Sequence, residues 1–463
     1  MKQLLSLLLL LACTTAMADN QESEYCKIDK TFRYRVYFTD KKHNNYSTRH
    51  PEEFLSPKAL DRRKKYKVKV DKFDLPVTQL YLEYLKENNY KVINVSKWNN
   101  TAVVEVSDSS QINKLKEVAF VKKTKKVWES PDSVLIQRVS NRAAEIENRC
   151  DTLPNFYGKS EHQIKMLQVQ KLHEMGLQGK GVTIAVIDGG FYNADLISGL
   201  KDCQILGTNN FVHPQKSVYE EPQQHGTMVL SCIAANIPTG LVGSAPAAQF
   251  YLLISEDNDS ENLIEEDNWC AAVEYADSLG VDIITSSLGY HYFDDPSASH
   301  KYEEMDGETA LNSRSASLAA SRGLFIVNSA GNEGDTHWKK LGFPGDAKDI
   351  FTVGAVNSQK VNTLFSSLGN TTDGRIKPDV MAQGQNTALL DFQGNVTTAN
   401  GTSFSAPLFC GALACLIQAY PTARPTDVIH AVQQAGDNAQ HPNNVFGYGI
   451  PDMYKAYEYL KKK

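Results

Sequence analysis

A serine, a histidine and an aspartate are the residues of this sequence best suited to chemistry. Ser403 lies in the stretch NGTSFSAPLFCG, directly before a long apolar segment. His225 begins the segment HGTMVLSCIAA, and Asp188 ends the apolar run VTIAVID. A serine hydroxyl becomes a good nucleophile when a base takes its proton, and an imidazole held by a carboxylate is such a base. The three residue types together predict acyl transfer.

Each of these side chains, taken singly, also has an ordinary structural explanation. Ser403 fits the N-cap of the helix that follows it, with Pro407 in the first turn of that helix. Asp188 stands before two glycines and fits a turn, while His225 fits a capping or surface position. Their combination favours function, because nucleophile, base and orienting carboxylate all occur at the ends of predicted elements.

Asn332 adds a fourth polar group, at the end of the stretch GLFIVNSAGN. Its amide is suited to donate a hydrogen bond to a developing oxyanion, although an asparagine here also fits a left-handed turn. Ser403 at a helix start places that oxyanion beside free backbone N–H groups. His225 at a helix N-terminus lies near the positive end of the helix dipole, which disfavours the imidazolium form. We therefore expect a neutral imidazole that acts as a base near pH 7.

Strands and helices alternate through the second half of the chain, which predicts a parallel sheet covered by helices. Apolar strand patterns occupy 182–190, 282–289 and 323–334, and a helical pattern begins at His225. Binding sites of open α/β sheets form beyond the carboxyl ends of the strands. Asp188 and Asn332 are therefore predicted to lie at the functional edge of the sheet.

The two halves of the chain carry opposite charge. Residues 26–128 contain 24 Lys and Arg against 12 Asp and Glu, and residues 129–463 contain 23 against 39. A basic module beside an acidic one should be attracted to it. The basic half has the order β-α-β-β-α-β, with Asn99-Asn100 as a hairpin turn, and this order predicts a small ferredoxin-like α+β domain. No RNA-binding aromatic pattern accompanies the basic runs, so a nucleic-acid partner is not predicted.

The first residues, MKQLLSLLLLLACTTAMADN, form a secretory signal pattern. Cleavage after Ala18 is favoured over a lipoprotein box ending at Cys13, so we expect a secreted or periplasmic protein with no transmembrane segment. The dispersed cysteines do not form a disulfide framework, and a Cys26–Cys150 pair stays open. No Cys/His cluster indicates zinc, so no metal ligands are assigned.

Five motifs in the second half resemble those of the subtilisin-like serine proteases, the subtilases. In chain order they are AVIDGG around Asp188, HGTMV at His225, SSLG at 286–289, SAGNEG around Asn332 and GTSFSAP around Ser403. The order Asp, His, Ser is also that of the family. The resemblance implies a subtilisin-like three-layer fold, a parallel sheet with helices on both faces, preceded by the small α+β prodomain.

The resemblance also implies roles for individual residues. Asp188, His225 and Ser403 are expected to form the catalytic triad, with Asn332 as the oxyanion donor. Ser287, Leu288 and Gly289 are expected to pair with an extended substrate, and Ser329, Ala330 and Gly331 to form a wall of the S1 pocket. The chemistry needs no cofactor; structural calcium is common in the family, but its ligands are not identified. The acidic loop 255–267 borders the S2–S4 subsites in the family, and a solvated loop is favoured over recognition of basic substrates.

The basic half is then expected to be a propeptide that assists folding and inhibits the active site from within the chain. The predicted division is a signal peptide at 1–18, a propeptide at 19–128, a linker with the maturation site at 129–156, and a catalytic domain at 157–463. The predicted protein is a secreted serine endopeptidase made as a zymogen, acting on proteins or peptides. A catalytically silent peptide-binding protein is disfavoured because all four catalytic residues are present. An α/β-hydrolase esterase is disfavoured because Ser405 stands where G-x-S-x-G requires glycine.

Overall fold

A computed structural model describes residues 25–27, 29–135, 142 and 144–462. The predicted signal peptide, with Cys13, lies outside the described residues.

The strands in chain order are β1 (Tyr25–Lys27), β2 (Phe32–Phe38), β3 (Lys91–Ser96), β4 (Thr101–Val106), β5 (Val121–Glu129), β6 (Ser133–Leu135), β7 (Thr183–Asp188), β8 (Gln204–Asn210), β9 (Asn236–Ile237), β10 (Leu241–Val242), β11 (Gln249–Ile254), β12 (Ile283–Ser286), β13 (Phe325–Ser329), β14 (Phe351–Val356), β15 (Val380–Gln383), β16 (Thr387–Leu390) and β17 (Val396–Ala399). The α-helices are α1 (Pro57–Tyr66), α2 (Gln79–Glu87), α3 (Ile112–Leu115), α4 (Glu161–Met166), α5 (Val169–Glu174), α6 (His225–Ala234), α7 (Ile264–Leu279), α8 (Leu311–Ser321), α9 (Thr402–Ala419), α10 (Pro425–Gln434) and α11 (Met453–Lys461).

The N-terminal unit is a four-stranded antiparallel sheet in the order β3-β4-β2-β5. Alternate residues of β2, Val36 and Phe38, turn to a buried core that they share with Leu85 of α2 and Leu115 of α3. The predicted strands are all present, and the first crossover carries the two helices α1 and α2. The unit is thus a small α+β domain, and its assignment as ferredoxin-like stays a prediction.

The second unit is built on a seven-stranded parallel sheet in the order β15-β14-β13-β12-β7-β11-β8. Its central strand β7 is buried on both faces: Ile184 and Val186 pack into one core with α6 and α9, whereas Ala185 and Ile187 pack into another with α7. Successive side chains of a strand point to opposite faces, so helices cover both sides of the sheet. The predicted three-layer α/β fold is confirmed.

Among the described helices, α9 alone is long and apolar enough to cross a membrane. The sequence analysis predicts no such segment after the N-terminus. It lies in the core instead, because 89% of its apolar window is buried inside the protein. A helix that is apolar on all sides suits the centre of a large domain as well as a bilayer.

The predicted linker 129–156 is structured over much of its described length. It begins within β5, and β6 pairs with β1. Further along, Ile146 forms a bridge with Ile197 and packs against the large core, and Arg149 bonds through its backbone to the hairpin of β16 and β17. The end of this segment therefore packs as part of the second unit, and the site of maturation stays a prediction.

The two units meet at α7, the helix that follows the acidic loop. Buried Asp277 forms ion pairs with Arg62, with Arg63 at 2.9 Å and with Lys97 at 3.2 Å, all three from the N-terminal unit. Glu274 accepts hydrogen bonds from the backbone N–H groups of Lys97 and Trp98 at 2.7 and 3.0 Å. The predicted attraction between the basic and acidic halves is thus concentrated in a few buried contacts.

Candidate active site

Four predicted site residues meet in one cleft at the carboxyl edge of the large sheet. Asp188 is the last residue of β7, His225 the first of α6 and Ser403 the second of α9, while Asn332 follows β13. They line a cavity of about 380 Å³. Residues separated by more than two hundred positions therefore converge, because the ends of parallel strands and the starts of the helices packed on them share one edge.

Asp188 and His225 form a direct pair. The Nδ1 atom of His225 lies 2.8 and 3.0 Å from the two carboxylate oxygens of Asp188, which is fully buried. This contact leaves Nε2 for a partner in the cleft, where the side chain of His225 is 31% exposed. Burial works to lower the pKa of His225, but the charge and hydrogen bond of Asp188 outweigh it, and the pKa is raised above its ordinary value. The helix terminus, which the sequence analysis expects to disfavour the imidazolium form, is therefore outweighed by Asp188, whose contact with Nδ1 favours that form.

Ser403 does not cap its helix. The N-cap is Gly401, whose φ of 150° disfavours a side chain, and the Ser403 hydroxyl donates to a carbonyl outside the helix instead of capping it. Pro407 is the sixth residue of α9, so its predicted place in the first turn is wrong. Because proline has no N–H, the carbonyl of Ser403 lacks its usual helical partner, and the hydroxyl of Ser287 donates to it at 2.9 Å. Among the described residues, the Ser403 hydroxyl donates to the Ser287 carbonyl at 3.3 Å, and no hydrogen bond joins it to His225.

Asn332 is held through its carbonyl oxygen. Its Oδ1 atom accepts from the backbone N–H and the hydroxyl of Thr402 at 2.9 and 3.0 Å. The side-chain NH₂ group is thereby left for the cleft that Asn332 lines together with Ser403. The N–H of Ser403 lies in the first turn of α9, where no carbonyl of the same helix can reach it. Two donors, a side-chain amide and a backbone N–H, are therefore available beside the Ser403 hydroxyl.

The predicted substrate-binding residues are brought to this cleft with one exception. Ser287, Leu288 and Gly289 line it after the end of β12, and Ser329 and Gly331 line it from β13. Ala330 does not: its side chain is fully buried in a separate cluster with Leu341 and Phe343. Successive side chains of an extended segment point to opposite faces, so Ala330 faces away from the cleft that Ser329 and Gly331 line.

The sequence analysis assigns no role to several residues that line the cleft, although it places the loop 255–267 beside the subsites; these residues are Gln223, Glu256, Asn258, His291, Glu333 and Gly342. Two of them connect the acidic loop to the triad. The amide of Gln223 donates to Asn258 at 3.1 Å, and Asn258 donates to the Gly189 carbonyl at 2.9 Å. Gln223 Oε1 also accepts from the His225 backbone N–H at 3.2 Å. The acidic run was the available signal for this network, but its contacts depend on the tertiary structure.

The acidic loop is less solvated than the sequence predicts. Glu265, Glu266 and Asp267 are at most 2% exposed. Asp267 and Glu266 face Arg35 of the N-terminal unit at 2.6 and 3.7 Å. Glu266 also contacts His300 at 2.7 Å. The run of charge is thus divided among a domain interface, the catalytic cleft and a buried helix start.

Comparison with known proteins agrees with this geometry. A family model described as the subtilase family matches residues 179–449, and a model described as the peptidase S8 propeptide domain of Bacteroidota matches residues 33–144. The chain is similar to Subtilisin NAT of Bacillus subtilis subsp. natto, with 30% identity over 303 residues that cover 65% of this chain and 71% of that protein. It is also 31% identical to Subtilisin of Bacillus pumilus over 262 residues, covering 56% of this chain and 85% of that protein. The solved structure of MycP1 with the N-terminal propeptide removed shares the fold, with a TM-score of 0.52 and 24% identity over 64% of this chain and 96% of that one.

The fold, the cleft and these relatives define a serine-type endopeptidase with an N-terminal propeptide domain. The chain belongs to the subtilase family.

Proposed function

We propose that this protein is a secreted serine endopeptidase that hydrolyses peptide bonds through an acyl-enzyme and is made as a self-processing zymogen. The observation that carries the proposal is the Asp188–His225 pair, which opens on the same cleft as Ser403. In this scheme His225 Nε2 takes the proton of the Ser403 hydroxyl as the oxygen attacks the carbonyl carbon. Asp188 holds Nδ1, fixes the tautomer and stabilises the imidazolium that forms.

The hydroxyl of Ser403 has to exchange its long hydrogen bond with Ser287 for one with His225. In this scheme the Ser403 side chain rotates to make the exchange, and nucleophile–base contacts often tighten when substrate binds. The tetrahedral oxyanion is then stabilised by the side-chain amide of Asn332 and the backbone N–H of Ser403. His225 next gives its proton to the leaving amine, and water repeats the sequence to release the acyl group.

The walls of the cleft suit an extended peptide. Residues 287–289 continue from β12 along the cleft and reach the surface at Gly289, which suits strand-like pairing with substrate. Ser329 and Gly331 form the opposite wall beside Asn332. We therefore assign Ser287–Gly289 to substrate pairing and Ser329 and Gly331 to the S1 wall.

The N-terminal unit is proposed to inhibit the enzyme until it is released. The signal peptide 1–18 directs export, and self-cleavage falls within 129–156. Because residues 144–156 pack against the catalytic unit, we place the cleavage before residue 144.

Asn332→Ala tests the proposed oxyanion site. We expect kcat to fall by about 10²–10³-fold with little change in KM, because the lost hydrogen bond forms chiefly in the transition state. The measurement is steady-state hydrolysis of a peptide substrate. The matched control is Glu333→Gln, the neighbouring residue of the same cleft, which should change kcat little. A rise in KM at constant kcat would assign Asn332 to substrate binding instead.

Asp277→Asn tests the proposed inhibitory interface. Burial works to raise the pKa of Asp277, yet the charges of Lys97, Arg62 and Arg63 outweigh it and hold the pKa well below its ordinary range. Neutralising Asp277 leaves these cations without their partner, and loss of one partner from a buried ion pair costs about 3–5 kcal/mol. We expect the inhibition constant of the propeptide to rise by roughly two to four orders of magnitude.

The control for this experiment is Glu161→Gln, which removes an exposed pair with Lys165 on α4 and should leave inhibition unchanged. Equal inhibition of the Asp277→Asn enzyme and its parent would show that inhibition does not depend on this interface.

A further inference from the structure

Three glutamates form a compact cluster at the edge of the catalytic cleft. Glu256 and Glu261 belong to the acidic loop, and Glu265 lies in the first turn of α7. One carboxylate oxygen from each lies within 4.8 Å of the others. None of the three forms an ion pair with a lysine or arginine in the described part of the chain. Three carboxyl groups thus share a small space without a lysine or arginine partner among the described residues.

The buried member of the cluster has an unused oxygen. Glu265 is fully buried, and its Oε1 accepts from the Asp257 backbone N–H at 3.0 Å. Its Oε2 atom has no hydrogen-bond partner among the residues that the structure describes. A buried carboxylate oxygen without a partner is strongly destabilising, so this atom itself indicates a missing ligand. Burial and the neighbouring carboxylates also raise the pKa of all three glutamates, because both disfavour a further negative charge.

We propose that Glu256, Glu261 and Glu265 bind one calcium ion. Calcium–oxygen distances of about 2.3–2.6 Å place two ligands on opposite sides of one ion roughly 5 Å apart, which matches the spread of this cluster. The ligand set contains only carboxylates, which suits a hard cation and disfavours zinc. Ligands from an irregular loop and a helix start suit calcium better than magnesium, because magnesium requires near-ideal octahedral geometry.

The position of the ion connects both walls of the cleft. Glu256 Oε2 accepts from the Tyr290 hydroxyl at 2.8 Å, and Tyr290 directly follows the substrate-pairing segment. On the other side, Asn258 of the same loop donates to the Gly189 carbonyl, next to Asp188. An ion at the glutamate cluster therefore fixes the loop that bridges the substrate wall and the triad.

The test uses the full-length chain carrying Ser403→Ala, treated with a chelator, so that the result does not depend on proteolytic activity. Calcium alone is added, and binding is followed by titration calorimetry and by the melting temperature. We expect calcium to raise the melting temperature. Glu265→Gln should weaken calcium binding by about tenfold or more, because one of three charged ligands is lost.

The matched control is Asp259→Asn, which makes the same change of charge at an exposed position of the same loop and should leave calcium binding unchanged. A second signature separates ligation from a general loss of stability. Without calcium, Glu265→Gln should melt at or above its parent, because the cost of burying an acid beside two other carboxyl groups is gone. With calcium, it should melt below its parent.

Three results would overturn the proposal. The first is a melting temperature that calcium does not raise. The second is an equal calcium response of the Glu265→Gln chain and its parent, which would place the ion elsewhere. The third is an equal response to magnesium, which would contradict the assignment of the metal. Each result leaves the proposed proteolytic function untouched, since none is measured as activity.

Discussion

Ser403→Ala is expected to reduce kcat/KM for peptide hydrolysis by about 10⁶-fold and to leave the chain unprocessed. The methyl group that remains cannot attack a carbonyl, while the Asp188–His225 pair and the oxyanion donors stay in place. The residual rate should therefore exceed that of water alone by roughly 10³–10⁴-fold. Mass measurement and N-terminal sequencing of the purified protein would follow processing. We expect the parent to begin before residue 144 and the variant to keep its propeptide.

Ser405→Ala is the matched control, because this hydroxyl two residues later donates to the Thr402 carbonyl within the same helix. It should mature normally and keep its activity. Normal maturation of the Ser403→Ala chain in the absence of any other protease would contradict self-cleavage.

Asp188→Asn is expected to lower kcat by about 10⁴-fold and to change its pH dependence. An asparagine at this position no longer supplies the negative charge that raises the pKa of His225. In the parent, His225 must be neutral to accept a proton, so activity is lost as the pH falls through a pKa above the ordinary value near 6.5. In the variant, the residual activity should persist to lower pH, because the imidazole loses its proton more easily.

The pH profile of kcat/KM measures this shift, and Asp349→Asn serves as its control. Asp349 is exposed at the opposite end of the sheet, before β14, in a left-handed conformation that asparagine tolerates. Its profile should match that of the parent. If the Asp188→Asn enzyme lost activity at the same low pH as its parent, a group other than His225 would control this loss.

Much of the site was predictable because its residues are ends of regular elements. The apolar run before Asp188 is a buried strand, and the segment from His225 is a helix, as their patterns predict. Parallel strands end at one edge of a sheet, so the convergence of Asp188 and Asn332 follows from chain order and periodicity. The roles of these residues in catalysis stay predictions until the variants are measured.

Other features depend on contacts between distant segments. The position of Pro407 inside α9 was not predictable, because the hydroxyl that replaces its missing helical hydrogen bond comes from Ser287. The helix terminus and Asp188 act on the pKa of His225 in opposite directions, and only the contact seen in the structure decides that the carboxylate outweighs the helix terminus. The burial of Ala330 likewise depends on packing against Leu341 and Phe343, which come from a later segment of the chain.

By itself, the sequence determined the order of the elements, the chemistry available at their ends and the opposite charge of the two halves. These properties are local, since hydrophobic period, residue type and charge can be counted along the chain. Only the tertiary structure decided which acidic residues face Arg62 and Arg63, which form the glutamate cluster, and which hydrogen bond the Ser403 hydroxyl makes. Burial and distance control these outcomes, and both are set by segments that are far apart in sequence.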